Sequence, residues 1–174
     1  MECGPLRPPV SEPLAGWDLV IFDADDTLRF TTIPGQPSPR GSDEWALLPG
    51  VAETLSLVPW MRPGGPRLGL ASNQDQIGYG YLSERTARRL LKDLALAATG
   101  TVPPPPAIQL CPHRLEVACD CRKPAPGMLR RIIAYYGVQP GGTLFVGNSE
   151  TDRAAAESAG VRYRDAARAF RRSA

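Results

Sequence analysis

The segment Trp17-Asp18-Leu19-Val20-Ile21-Phe22 is apolar, β-branched and aromatic, and it stops abruptly at Asp23-Ala24-Asp25-Asp26-Thr27. A short apolar run without alternation is what a strand buried on both faces requires, and such strands belong to parallel sheets covered by helices. Three carboxylates within four positions repel one another, a cost that a bound cation removes. A plain Asp-rich turn is the alternative for this segment taken alone. The first strand thus points to an α/β fold and marks its own carboxyl end as a candidate cation site.

The rest of the chain repeats the theme. Residues 29–48 are polar and rich in Pro and Gly, too long for a simple turn, and read as a flap over the first strand's end. Pro49-Gly50 opens a helix over 51–58, and Arg67-Leu-Gly-Leu-Ala71 is a second buried strand. Ser83 caps a helix that runs to Ala98 with Gly100 beyond it, its inner face traced by Ala87, Leu90, Leu91 and Leu94. A stiff proline tether at 103–106 leads to a third strand at 107–110; a helix over 126–136, a strand at 143–146, a helix at 150–159 and an edge strand at 161–163 follow. Strands alternating with helices predict a doubly wound, Rossmann-like parallel sheet flanked by helices, with ligands at the carboxyl ends of the strands.

A length of 174 residues corresponds to one domain, expected over 17–174 after a flexible, proline-bearing leader at 1–16. Twenty basic against 18 acidic side chains leave a formal charge of +2, too even to imply general attraction to nucleic acid or membrane. No apolar run reaches membrane-spanning length, and the start lacks the apolar centre of a signal peptide, so the expectation is a cytoplasmic, monomeric protein without membrane contact.

Three of the four cysteines crowd beside the sole histidine: Cys111-Pro-His113, five residues, then Cys119-Asp-Cys121. Two pairs of N/S donors on one short loop are the set of a closed tetrahedral zinc site, which would be structural because protein fills all four positions. Free cysteines are the alternative. The loop 111–121 runs directly into Arg122 and Lys123, so a zinc there would aim two cations.

Two further strand ends join the acidic one: Ser72-Asn73 after the second strand, and Gly147-Asn148 with Asp152 after the fourth. With Asp23-x-Asp25-x-Thr27 and Lys123 ahead of a helix, the chain resembles the haloacid dehalogenase-like superfamily of phosphatases. The run Cys111-Pro-His through Cys119-Asp-Cys-Arg-Lys-Pro-Ala-Pro-Gly-Met128, with Ser72-Asn-Gln-Asp-Gln-Ile-Gly-Tyr-Gly80, is similar to its subfamily IIIA group of zinc-containing histidinol-phosphatases and D-glycero-D-manno-heptose 1,7-bisphosphate phosphatases.

The resemblance implies no large cap domain and a Mg²⁺-dependent phosphatase of a small phosphorylated metabolite, a sugar phosphate or bisphosphate or one like histidinol phosphate. Asp23 would be the nucleophile that forms an aspartyl-phosphate and Asp25 the general acid/base. Ser72, Asn73, Thr27, Arg122 and Lys123 would engage the phosphoryl group. Mg²⁺ would sit on Asp23, Asp25, Asn148 and Asp152, and Zn²⁺ on Cys111, His113, Cys119 and Cys121. Two departures stand out. Asp26 replaces a common glycine, and Asn148 replaces the expected metal-binding aspartate, removing one negative charge and shifting part of the burden to Asp152. The loop between His113 and Cys119 is also shorter than in the heptose enzymes, which leaves the substrate open. A 3′-phosphatase of nucleic-acid ends and a non-catalytic binding protein on the same scaffold remain as alternatives.

Overall fold

A computed structural model describes residues 14–170 of the chain. Its centre is the expected first strand, β1 (Leu19–Phe22), every residue of which is buried. It lies between β4 (Arg67–Asn73) and β6 (Thr143–Gly147), with β5 (Ile108–Cys111) beyond β4 and β7 (Arg162–Asp165) beyond β6, all parallel. Successive β1 side chains enter opposite layers. Val20 and Phe22 pack with helices α1 (Val51–Leu55), α2 (Glu84–Thr99) and the short α5 (Ala166–Ala169). Leu19 and Ile21 pack against α3 (Gly127–Tyr136) and α4 (Glu150–Ala159).

The doubly wound sheet is therefore as expected, while its strand order and several boundaries came from the structure. β4 runs two residues further than expected, so Ser72 and Asn73 end a strand instead of following one. The edge strand starts one residue later and runs to Asp165. Helix α1 closes at Leu55, earlier than expected. Ser83 accepts from Thr86 N at 3.1 Å, and Gly100, at φ +72°, closes α2 through its N–H to Leu96 O. The leader expected over 1–16 falls outside the described residues up to 13; Leu14–Gly16 form a 3₁₀ turn whose Leu14 is buried, so the packed chain begins before Trp17.

The flap exists as an antiparallel pair, β2 (Arg29–Thr31) with β3 (Trp45–Leu47). Its connecting segment is folded on itself by Glu44, whose carboxylate accepts from Gln36 Nε2 and Arg40 N, each at 2.8 Å. Buried Gln76, from the loop after β4, pins it to the domain: its amide donates to Ser38 and its carbonyl accepts from Arg40 Nε. Among the described residues no large cap domain accompanies this small flap, which is tied to the loops that follow β1 and β4. No helix among the described residues is long and apolar enough to cross a membrane.

Candidate active site

Strand order decides which loops meet. Chain direction leaves β1 toward β4 and β5 on one side and later toward β6 and β7 on the other, so the carboxyl end of β1 is the switch point where a crevice forms. Asp23 is the first residue past β1, and its N–H is tied to Val146 O of β6 at 2.9 Å. Its Oδ1 lies 2.6 Å from Lys123 Nζ, and Oδ2 accepts from Thr27 Oγ1 at 3.0 Å. Lys123 Nζ also meets Asp152 Oδ1 at 2.7 Å, so one ammonium bridges a carboxylate of the β1 loop and one in the first turn of α4.

All three groups are buried, and burial has opposite consequences for them. Desolvation pushes Asp23 up to about 6, helped by the nearby Asp152 and only partly opposed by Lys123. Burial by itself would depress Lys123, but the carboxylates of Asp23 and Asp152 outweigh it and hold the ammonium above its usual range.

Asp25 stands beside this cluster with both oxygens engaged. Arg29 Nε donates to Oδ1 at 2.8 Å and Gln74 Nε2 donates to Oδ2 at 2.8 Å. The Gln74 amide also reaches Ser72 Oγ at 2.9 Å, which ties the end of β4 to the β1 loop. Asp26 adopts φ +59°, the left-handed backbone that explains why glycine is favoured there and why Asp is accepted.

Asn73 does not point its amide freely at the rim. Its Nδ2 donates to Lys123 O at 3.1 Å while its Oδ1 accepts from Lys123 N at 3.0 Å. Asn148 is exposed and its Oδ1 accepts from Thr27 Oγ1 at 3.2 Å, so the amide oxygen faces the Asp23 side of the rim. Asp152 is reached by four donors: Asn148 N, Ser149 N and Ser149 Oγ on Oδ2, and Lys123 on Oδ1. Oδ2 is thus crowded by the α4 capping box, while buried Oδ1 faces the Lys123 ammonium alone.

The Cys/His loop closes into one cluster. Sγ of Cys111 and Sγ of Cys121 lie 3.5 and 3.3 Å from His113 Nδ1, and Cys119 Sγ lies 3.7 and 3.4 Å from them respectively. All four donor atoms lie within 4.8 Å of one another. Zinc bonds of about 2.3 Å to sulfur and about 2.05 Å to nitrogen give tetrahedron edges of about 3.8 and about 3.6 Å, so the donor set fits that ion. Arg122 is fastened to this loop by Nη2 donating to His113 O at 2.7 Å, and pairs loosely with Asp75 at 3.7 Å. Its buried Nε makes no hydrogen bond among the described residues.

The structure thus brings Asp23, Asp25, Thr27, Ser72, Asn73, Lys123, Asn148 and Asp152 to one rim, with the zinc-type cluster feeding Arg122 and Lys123 into it. Sequence reading missed Arg29, Gln74 and Gln76. The spacing of Asp25 and Arg29, four residues apart, was a signal, but it carries weight only on a helix and this segment is a loop.

A family model described as HAD-hydrolase-like matches residues 120–163. The chain is 36% identical to D-glycero-beta-D-manno-heptose-1,7-bisphosphate 7-phosphatase of Pseudomonas aeruginosa over 143 residues, covering 80% of this chain and 75% of that one. Against the enzyme of the same name from Bordetella bronchiseptica it is 35% identical over 144 residues, 82% and 76%. The crystal structure of D,D-heptose 1.7-bisphosphate phosphatase from B. bronchiseptica, complexed with magnesium and phosphate, superposes with a TM-score of 0.67 at 33% identity over 84% of this chain and 78% of that one. A HAD-like phosphatase from Mesorhizobium loti, 20% identical, shares the fold with a TM-score of 0.64 over 92% and 74%.

Proposed function

This chain belongs to the haloacid dehalogenase-like phosphatases, and from that membership we propose that it hydrolyses the phosphate monoester of a small phosphorylated sugar through a phosphoryl group carried transiently by Asp23. The observation that carries this reading is the buried Asp23, held by Lys123 on one oxygen and by Thr27 on the other. A carboxylate attacks a phosphate dianion only where fixed positive charge offsets both. Lys123 supplies that charge, and Asp152, 2.7 Å from the ammonium, orients it.

Asp23 attacks phosphorus as the ester P–O bond breaks, and Asp25 delivers a proton to the departing oxygen. Asp25 then takes a proton from the water that attacks the aspartyl-phosphate, which releases inorganic phosphate and restores Asp23. Ser72 and Arg122 are assigned to the phosphoryl oxygens; Asn73 serves them indirectly by fixing the Lys123 backbone.

The Asp23 carboxylate, the Asp25 backbone carbonyl and the Asn148 amide oxygen are hard oxygen donors of the kind that Mg²⁺ takes. A bound Mg²⁺ supplies the charge neutralisation that lets carboxylate and phosphate approach. Asp152 is assigned a part in this site through Lys123, whose ammonium its Oδ1 meets at 2.7 Å. Cys111, His113, Cys119 and Cys121 would hold a structural zinc, crosslinking a loop that has little core of its own.

Relatives named for a heptose 1,7-bisphosphate support a sugar phosphate or bisphosphate as the substrate class. A panel of phosphorylated sugars, amino alcohols and 3′-phosphorylated oligonucleotides, assayed with Mg²⁺ for phosphate release, tests this. Turnover of the sugars, abolished in Asp23→Asn, is the expected result. Turnover that survives Asp23→Asn, or that is confined to oligonucleotides, overturns it.

A further inference from the structure

Arg29 is the largest fully buried side chain among the described residues, at 1% exposure. A guanidinium tolerates such burial only when paired, since a stranded buried charge is strongly destabilising. Its Nε donates to Asp25 Oδ1 at 2.8 Å, Nη1 reaches Leu90 O of α2 at 3.4 Å, and its central carbon lies 5.8 Å from the Trp45 ring centroid. From the other side Gln74 holds Asp25 Oδ2 and is itself buried.

The backbone explains how Arg29 arrives there. The N–H groups of Leu28 and Arg29 both donate to Ala24 O, and Asp26, in its left-handed conformation, donates its N–H to Arg29 O at 2.7 Å. The chain doubles back within one turn, so Arg29 lies beside Asp25 at the moment it becomes the first residue of β2, paired with Leu47 of β3. The root of the flap therefore carries the guanidinium that grips Asp25.

We infer that Arg29 is a positioning residue for the acid/base carboxylate, and that with Gln74 it holds Asp25 in a single orientation toward both the leaving oxygen and the attacking water. Two charge-assisted or amide donors from opposite directions fix both carboxylate oxygens, and proton transfer falls steeply once a group leaves hydrogen-bond reach. The inference rests on the assignment of Asp25 above. It also ties flap to chemistry: a displaced hairpin would move the grip on Asp25.

The test uses the full chain with Mg²⁺ and a series of aryl phosphates from phenyl to 4-nitrophenyl. An aryloxide such as 4-nitrophenolate departs without a proton, whereas phenoxide gains much from one. In Arg29→Met, turnover of phenyl phosphate is expected to fall about 10²-fold. With 4-nitrophenyl phosphate the first equivalent of nitrophenolate should still appear in a burst, followed by slow turnover, because only hydrolysis of the aspartyl-phosphate then needs Asp25. Asp25→Asn should show the same pattern, and adding Arg29→Met to it should cost no more than about twofold, since residues acting as a unit are not additive. Arg29→Lys, retaining charge without the fork, should recover part of the loss.

A merely structural role predicts the opposite: equal losses for every leaving group, no burst, and a full additional loss in the Asp25→Asn background. Any one of these three results overturns the inference. Should Arg29→Met fail to fold, Gln74→Met and Arg29→Lys report the same leaving-group dependence. Survival of turnover in Asp23→Asn would sink the proposed function; a dead Asp23→Asn with an unchanged leaving-group dependence in Arg29→Met would sink this inference alone.

Discussion

Asn73 and Lys123, fifty residues apart, exchange two hydrogen bonds, the amide donating to the lysine carbonyl at 3.1 Å and its oxygen accepting from the lysine N–H at 3.0 Å. The last residue of β4 thus clamps the backbone of Lys123 from both sides. The zinc-type loop holds the preceding residue, Arg122, through the His113 carbonyl. Lys123 is positioned by its neighbours before its own side chain makes any contact.

Asn73→Ala should leave two backbone groups of Lys123 without their partners in a half-buried setting. Unfolding in urea should show a loss of about 2 kcal/mol, within the range for such unmade hydrogen bonds. Turnover should fall about tenfold beyond the change in folded fraction, because Lys123 is no longer aimed. Wild-type turnover in a destabilised Asn73→Ala protein would show that the clamp is structural only.

Asn148→Asp adds one negative charge on a side chain whose oxygen already faces Thr27 and Asp23. Mg²⁺ titration of activity should show a tighter half-saturation by about tenfold, roughly 1.4 kcal/mol on the affinity scale. An unchanged Mg²⁺ dependence would place residue 148 outside the metal's reach.

Zinc analysis by mass spectrometry should find one ion per chain. Cys121→Ser should lose the ion, lower the melting temperature and depress activity, because the freed loop no longer seats Arg122 and Lys123. Burial and the adjoining thiols push Cys121 up to about 12, so zinc binding there should release a proton. A zinc-free parent with full activity and unchanged melting would refute a structural zinc.

Asp23 carries a pH signature. Burial disfavours the charge and pushes its pKa in the folded chain up to about 6, above the ordinary value of 3.8. Between those values the folded state binds more protons than the unfolded one, so this residue's contribution to stability is greatest below 3.8 and is lost as pH rises through 6. In Mg²⁺-free buffer Asp23→Asn should therefore gain stability relative to the parent as pH climbs from 4 to 7. Urea midpoints measured across that range check it; a constant difference would mean that Asp23 ionises at no cost.

Several parts of the molecule were readable from local chemistry. The apolar run before Asp23 demanded a doubly buried strand, and Ser83 and Gly100 bounded α2. Two Cys/His pairs five residues apart described a tetrahedral donor set. Each of these signals lies within a few residues of the group it controls, where geometry follows from spacing.

The contacts that hold the rim residues were not readable in this way. Asp152 pairs with Lys123 at the start of α4, Asn73 clamps the Lys123 backbone, and Arg29, at the start of a polar flap, is buried against Asp25. Each outcome depends on which strand lies beside β1, and on how α2 and the flap close over the rim. Periodicity, caps and ligand spacing are local and survive in one dimension, so the chain's own order sets the elements and the residue types at the rim. The partner of a buried charge is chosen by whatever side chain the packing brings within 3 Å, and that choice is made only when distant segments fold together.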